Sequence, residues 1–178
     1  HVVIGEQDVI AVAAYSQWQP PPKKNLSKSV IVGLDPSCGK ERWRRVVNDG
    51  TVAGIVVGRH GRIFIGTFDQ TRPDKIHGLT SRGSTMWSSE IDGSTIGGQL
   101  GLASLGPLGA DDKLYILVAN AYVGTTAEKQ PYSSVRAYST QTGKLLWSLE
   151  SKRMFPGRSQ PILRADGVLV FGADVQDG

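Results

Sequence analysis

The chain has 178 residues, with 20 Lys and Arg against 16 Asp and Glu, a net charge of +4, and 39 % hydrophobic residues. That balance excludes a disordered polyelectrolyte, and 22 Gly with 9 Pro but no three-residue period exclude collagen and favour a turn-rich β protein. Basic residues are scattered among acids rather than gathered with aromatics into one patch, which argues against nucleic acid as a partner. The single cysteine, Cys38, makes no internal disulfide and no cysteine-rich zinc site. The longest apolar runs, at 9–15 and 114–123, are strand-sized and fall short of the roughly 20 residues of a membrane-spanning helix.

In chain order, the first predicted hairpin is Val2-Val3-Ile4, a turn at 6–8, and Val9-Ile10-Ala11-Val12. A second strand pair follows, running from Val30-Ile31-Val32 through Asp35-Pro36 and Gly39 to Trp43. The pattern then restarts with Val56-Val57, a turn at 59–61 and Ile63-Phe64-Ile65, and continues from Ile76 through Gly83 to Trp87. A third copy has Pro107-Leu108, a turn at 110–112 and Leu114-Tyr115-Ile116, then Val135 through Gly143 to Trp147. Ile162-Leu163, a turn at 165–167 and Val168-Leu169-Val170 open a fourth. From Val9 to Ile63 is 54 positions, to Leu114 is 51 more, and to Val168 is 54 more. Trp43, Trp87 and Trp147 each stand four residues after a glycine, Gly39, Gly83 and Gly143. No segment carries a sustained 3.6-residue apolar stripe, so the expectation is all-β.

Each unit therefore reads as four short strands, A to D, with a polar A–B turn and a C–D turn that ends on a left-handed glycine. Four-stranded units in succession are propeller blades, because one such sheet cannot bury both of its faces alone. A tryptophan at one fixed place on every strand D suits the gap to the next blade. Gly39, Trp43, Gly83, Trp87, Gly143 and Trp147 are accordingly read as structural repeat residues.

Gly143-Lys144-Leu145-Leu146-Trp147, Gly39-Lys40-Glu41-Arg42-Trp43 and Gly83-Ser84-Thr85-Met86-Trp87, each preceded by a strand hairpin, resemble the β-propeller repeat of pyrroloquinoline quinone (PQQ) enzymes and their non-enzymatic relatives. Asp49-Gly50-Thr51-Val52-Ala53-Gly54 and Asp92-Gly93-Ser94-Thr95-Ile96-Gly97 look like that family's crossovers between blades. The resemblance implies one propeller segment over 1–178, with blades at about 1–50, 51–101 and 102–155 and a partial blade at 156–178. About three and a half blades make an incomplete ring, which points to a piece of a longer polypeptide or to completion by association.

Enzymatic relatives hold PQQ over calcium with an acid and an amide, use an aspartate as base and carry adjacent cysteines. No such set is assigned here, so no catalytic, cofactor-binding or metal residue is expected, and no cofactor. Asp69, Asp74, Asp111 and Asp112 fall in predicted turns, where aspartate serves the backbone. His1, His60 and His77 lack any zinc spacing. Long B–C loops at 17–29 and 119–134, with a shorter one at 69–75, mark one face for binding. Trp18 beside the stiff Pro20, Pro21 and Pro22 is the candidate partner contact. The reading is a non-catalytic interaction or structural scaffold, whose partners are other proteins or the remaining blades. The alternative is a segment of a PQQ-dependent dehydrogenase with its active site outside this chain. The family resemblance implies an extracytoplasmic or luminal location.

Overall fold

The computed structural model describes residues 2–4, 10–12, 29–69, 72–91, 102–108, 112–119, 133–151, 154–156, 162–164, 166–170 and 173–175. Within them the chain is built of short antiparallel strands. The first sheet is β1 (Val2–Ile4), β2 (Ile10–Val12), β3 (Ser29–Leu34) and β4 (Glu41–Val47), paired in that order. The second is β5 (Thr51–Val57), β6 (Ile63–Asp69), β7 (Arg72–Leu79) and β8 (Thr85–Glu90). The third is β9 (Leu102–Leu108), β10 (Lys113–Ala119), β11 (Ser133–Ser139) and β12 (Leu145–Ser151). Each is a simple meander, and the first strands of successive sheets lie side by side, β1 beside β5 and β5 beside β9.

After the third sheet, β14 (Ile162–Leu163) and β15 (Leu169–Val170) form a hairpin whose first strand lies beside β9. Flanking it, β13 (Met154–Pro156) pairs with β16 (Ala173–Val175), a pairing that the repeat does not announce.

The core sits between sheets rather than within them. Strand alternation explains why: neighbours along β6 point to opposite faces. Ile63 and Ile65 join Ile31 and Val47 of the first sheet in one cluster, with Val52, Ile55 and Leu79. Phe64 joins Leu114, Ile116, Val118 and Tyr138 of the third sheet in another, with Ile76 and Ile91. The middle sheet is thus apolar on both faces.

Three expectations are corrected. Thr51-Val52-Ala53-Gly54 is not a crossover: it is the start of β5, paired to β6 through Thr51↔Phe68 and Gly54↔Gly66, with a bulge between Val52 and Gly54. The bulge absorbs the glycine-rich composition that makes the segment read as a linker. The second blade's B–C loop is also shorter than 69–75, since Asp69 pairs with Arg72 and only two residues separate them. Asp69 ends β6 and Asp74 lies buried inside β7, so neither is in a long turn.

Phe64 has no exposed surface and its cluster bridges two sheets. Phe64→Ala is expected to cost about 4 kcal/mol of stability, read as a lowered midpoint in urea unfolding.

Candidate functional site

The three C–D hairpins carry the residues that recur. Each turn opens on a side chain that accepts backbone N–H groups. Asp35 takes Ser37 N–H at 2.9 Å, Thr80 takes Ser84 N–H at 3.2 Å, and Ser139 takes Gln141 N–H at 3.3 Å. These are the local bonds that Asp, Thr and Ser offer in turns. The Ser37 hydroxyl, followed by the Arg42 guanidinium, holds the Asp35 carboxyl well below the usual carboxylate range. Each turn closes on a left-handed glycine, with φ of +68° at Gly39, +78° at Gly83 and +69° at Gly143.

Four residues on, the tryptophan lies down across its own sheet. Trp43 is opposite Gly33 and Trp87 opposite Gly78 in the strand register. A Cβ on Gly33 would stand 2.2 Å from the Trp43 ring, and one on Gly78 2.4 Å from the Trp87 ring. The missing side chain lets each indole lie flat, and Trp87 also meets Phe64 with centroids 5.9 Å apart. In the third sheet Ala137 takes the glycine's place opposite Trp147, which meets Tyr115 at 5.9 Å. The recurrence of Gly33, Gly78 and Ala137 escaped the sequence reading, although it sits at a fixed offset before each turn.

The far side of the first two indoles covers the next blade's turn. Trp43 lies over Gly83, where a Cβ would be 2.7 Å from the ring, and Trp87 lies over Gly143, at 2.3 Å. Trp87 Nε1–H donates to the Thr140 carbonyl at 2.9 Å. Two positions past Trp43 and Trp87 a side chain reaches the glycine's own carbonyl. Arg45 Nη1–H donates to Gly83 O at 2.9 Å, and Ser89 Oγ–H donates to Gly143 O at 2.6 Å. Two joints are therefore filled by one design: an indole plate on a turn with no Cβ, locked by a donor to its carbonyl. The Gly39 turn has nothing within 4 Å of its Cβ position, and Trp147 is 41 % exposed.

A polar seam accompanies the first joint. His77 is buried on β7, shares a 3.3 Å hydrogen bond with Thr67 Oγ1 and lies 3.9 Å from Asp49 Oδ2. Lys75 Nζ stands 3.5 Å from Asp49 Oδ1. Burial pushes the His77 pKa down to about 4; Asp49 opposes this, while Lys75 and Arg45 add to it. Trp18, Pro20, Pro21, Pro22, His1 and Asp111 lie outside the described residues. Among the described residues no three His, Cys, Asp or Glu gather as a metal-binding group, and no helix is long and apolar enough to cross a membrane.

Successive four-stranded antiparallel blades, side by side through their first strands and stapled by tryptophan on glycine, define a PQQ-like β-propeller protein. The family model described as outer membrane protein assembly factor BamB matches residues 27–176, and the chain belongs to that family. The crystal structure of BamB from Moraxella catarrhalis is matched over 100 % of this chain and 76 % of that one, at 15 % identity and a TM-score of 0.28. No curated protein matches.

Two outcomes follow from this geometry. Gly39 and Gly143 share nearly the same φ, but only Gly143 lies under an indole. Gly39→Ala is expected to cost about 1 kcal/mol for its left-handed backbone, whereas Gly143→Ala adds the displaced ring and costs roughly 3 kcal/mol, both read by urea unfolding. For His77, the folded pKa lies below the unfolded value, so between them the unfolded chain binds the extra proton. Stability is therefore full above about pH 6.5 and falls as pH drops toward 4, by on the order of 3 kcal/mol. His77→Gln flattens that part of a stability–pH profile; an unchanged slope would assign it to other groups.

Proposed function

We propose that the chain is a non-catalytic propeller segment that presents its loops to a protein partner, as a scaffold within a larger protein or assembly. The observation that carries it is the use made of the recurring residues. The seated tryptophans and the glycines beneath them are spent on holding blade to blade, which makes a rigid frame rather than a reaction centre. Frames of this kind place variable loops at one edge, and here one B–C connection is only two residues while the other two span long segments. The family description names an assembly factor, which accords with protein binding as the task. In this reading residues 1–178 form one segment, with blades near 1–50, 51–101 and 102–155 and a partial blade at 156–178. Trp18 with Pro20, Pro21 and Pro22 supplies the partner contact, a stiff extended ligand beside an aromatic anchor.

Two measurements test this. The native polypeptide, incubated with PQQ and calcium, is expected to retain no quinone absorbance and to oxidise no alcohol with an artificial dye acceptor. Retention with turnover overturns the scaffold reading. A photo-crosslinking residue placed at Trp18 is expected to capture a protein in cells, and the same residue at Arg164, exposed on a different blade, is not. Equal capture at both positions contradicts the assignment of the contact.

A further inference from the structure

The two turns of the second blade stand apart in charge. Arg59, His60 and Arg62 lie on its A–B turn and Arg82 on its C–D turn, with no acidic residue at 58–62 or 80–84. The turns touch, since a Cβ on Gly61 would stand 3.0 Å from Ser81 Cβ. Arg59, His60 and Arg82 are exposed and Arg62 is half-buried. From the first blade, the Arg45 guanidinium adds positive charge against the same place, bonded to Gly83 O and Thr85 Oγ1. Elsewhere arginine is paired: Arg42 with Asp35, Arg44 with Glu41, and Arg164 with Asp166. Arg59, Arg62 and Arg82 have no such carboxylate among the described residues.

The A–B turn also forgoes a local bond that its counterpart makes. Gly58 N–H donates to Arg62 O, as Arg164 N–H donates to Val168 O in the last hairpin, so His60 occupies the place of Asp166. Asp166 Oδ1 accepts the Val168 N–H at 3.2 Å. His60 makes no side-chain hydrogen bond among the described residues and holds a left-handed φ of +58°. A residue other than glycine costs stability in that conformation. Local stability therefore does not account for a basic turn here.

We propose that these two turns form a docking surface for an acidic segment of a protein partner. The inference rests on the scaffold reading above and gives that partner a second contact, because the A–B and C–D turns leave the meander at the end opposite its B–C connections. A guanidinium fork matches a carboxylate with two parallel hydrogen bonds, and an unpaired one is free to make them. Three such forks on two touching turns suit a run of Asp or Glu. Nucleic acid fits less well. Its bases stack on aromatic faces, neither turn has Phe, Tyr or Trp, and the indole at this place, Trp43, already lies over Gly83. A membrane surface fits less well too. Stable attachment combines basic charge with an inserted apolar chain, and neither turn carries an apolar side chain.

The test titrates the native polypeptide with a fluorescein-labelled hexaglutamate peptide at low ionic strength, read by anisotropy. Arg59→Glu and Arg82→Glu are each expected to weaken binding by about fivefold or more. Lys144→Glu makes the same charge change on the exposed C–D turn of the third blade and is expected to weaken it by less than about twofold. Tryptophan fluorescence checks that each variant keeps its fold. Arg82→Gln, which removes a charge without adding one, replaces a Glu variant that does not fold and is expected to lose about threefold. Equal losses for Arg82→Glu and Lys144→Glu would show diffuse attraction to net charge and overturn the proposal, as would a native polypeptide that does not bind the peptide. An oligothymidylate strand or phosphatidylserine vesicles bound more tightly than hexaglutamate, through the same arginines, would reassign the surface and overturn it equally. PQQ turnover would sink the scaffold reading without changing the dependence on arginine, so the two failures are distinguishable.

Discussion

The whole arrangement depends on an indole lying between two glycines. One glycine, on the tryptophan's own sheet, lets the ring lie flat; the other, on the next sheet's turn, lets that sheet come close. Neither approach tolerates a Cβ. The contact is thus steric before it is attractive: it sets the distance between sheets, and burial of apolar surface then follows at that distance. The clusters around Ile63 and Ile65 on one side and Phe64 on the other form only because the sheets are held at that spacing. The hydrogen bonds from Trp87, Arg45 and Ser89 fix the rotation of each joint.

Much of this architecture is legible in the sequence, for a physical reason. Hairpin turns are local, so Gly39 to Trp43, Gly83 to Trp87 and Gly143 to Trp147 keep their spacing whatever the rest of the chain does. Strand alternation is equally local, and it shows in β6 and β10. The joints are harder to read because each crosses a blade. Trp43 covers Gly83 and Trp87 covers Gly143, pairs that share no local pattern. Gly33 and Gly78 recur but look like ordinary strand glycines until an indole is placed over them. Thr51–Val57 misleads for the opposite reason: its glycine sits in a bulge, which composition alone does not separate from a linker. The candidate contact at Trp18 and its prolines rests on sequence and lies outside the described residues.

The design also bears on function. A frame assembled from interchangeable joints keeps its geometry when loops lengthen, because the loops leave from strand ends while the joints lie on the C–D side. The same frame accommodates a two-residue B–C turn in one blade and long B–C segments in the others. That independence of loop and frame is what a binding scaffold needs. His77 shows where polarity is tolerated in it: beside Thr67 and Asp49 at a seam, kept neutral by burial, while the neighbouring apolar clusters do the packing.

The central claim is that the Trp87 indole and the missing side chain at Gly143 act as one unit. A double-mutant cycle on Trp87→Ala and Gly143→Ala, measured by urea unfolding, tests it most directly. The account predicts strong coupling: once the indole is gone, adding the methyl costs only the left-handed backbone strain, leaving a coupling energy of about 1–2 kcal/mol. Costs that simply add, within about 0.3 kcal/mol, would show that the ring does not rest on the turn and would contradict the account.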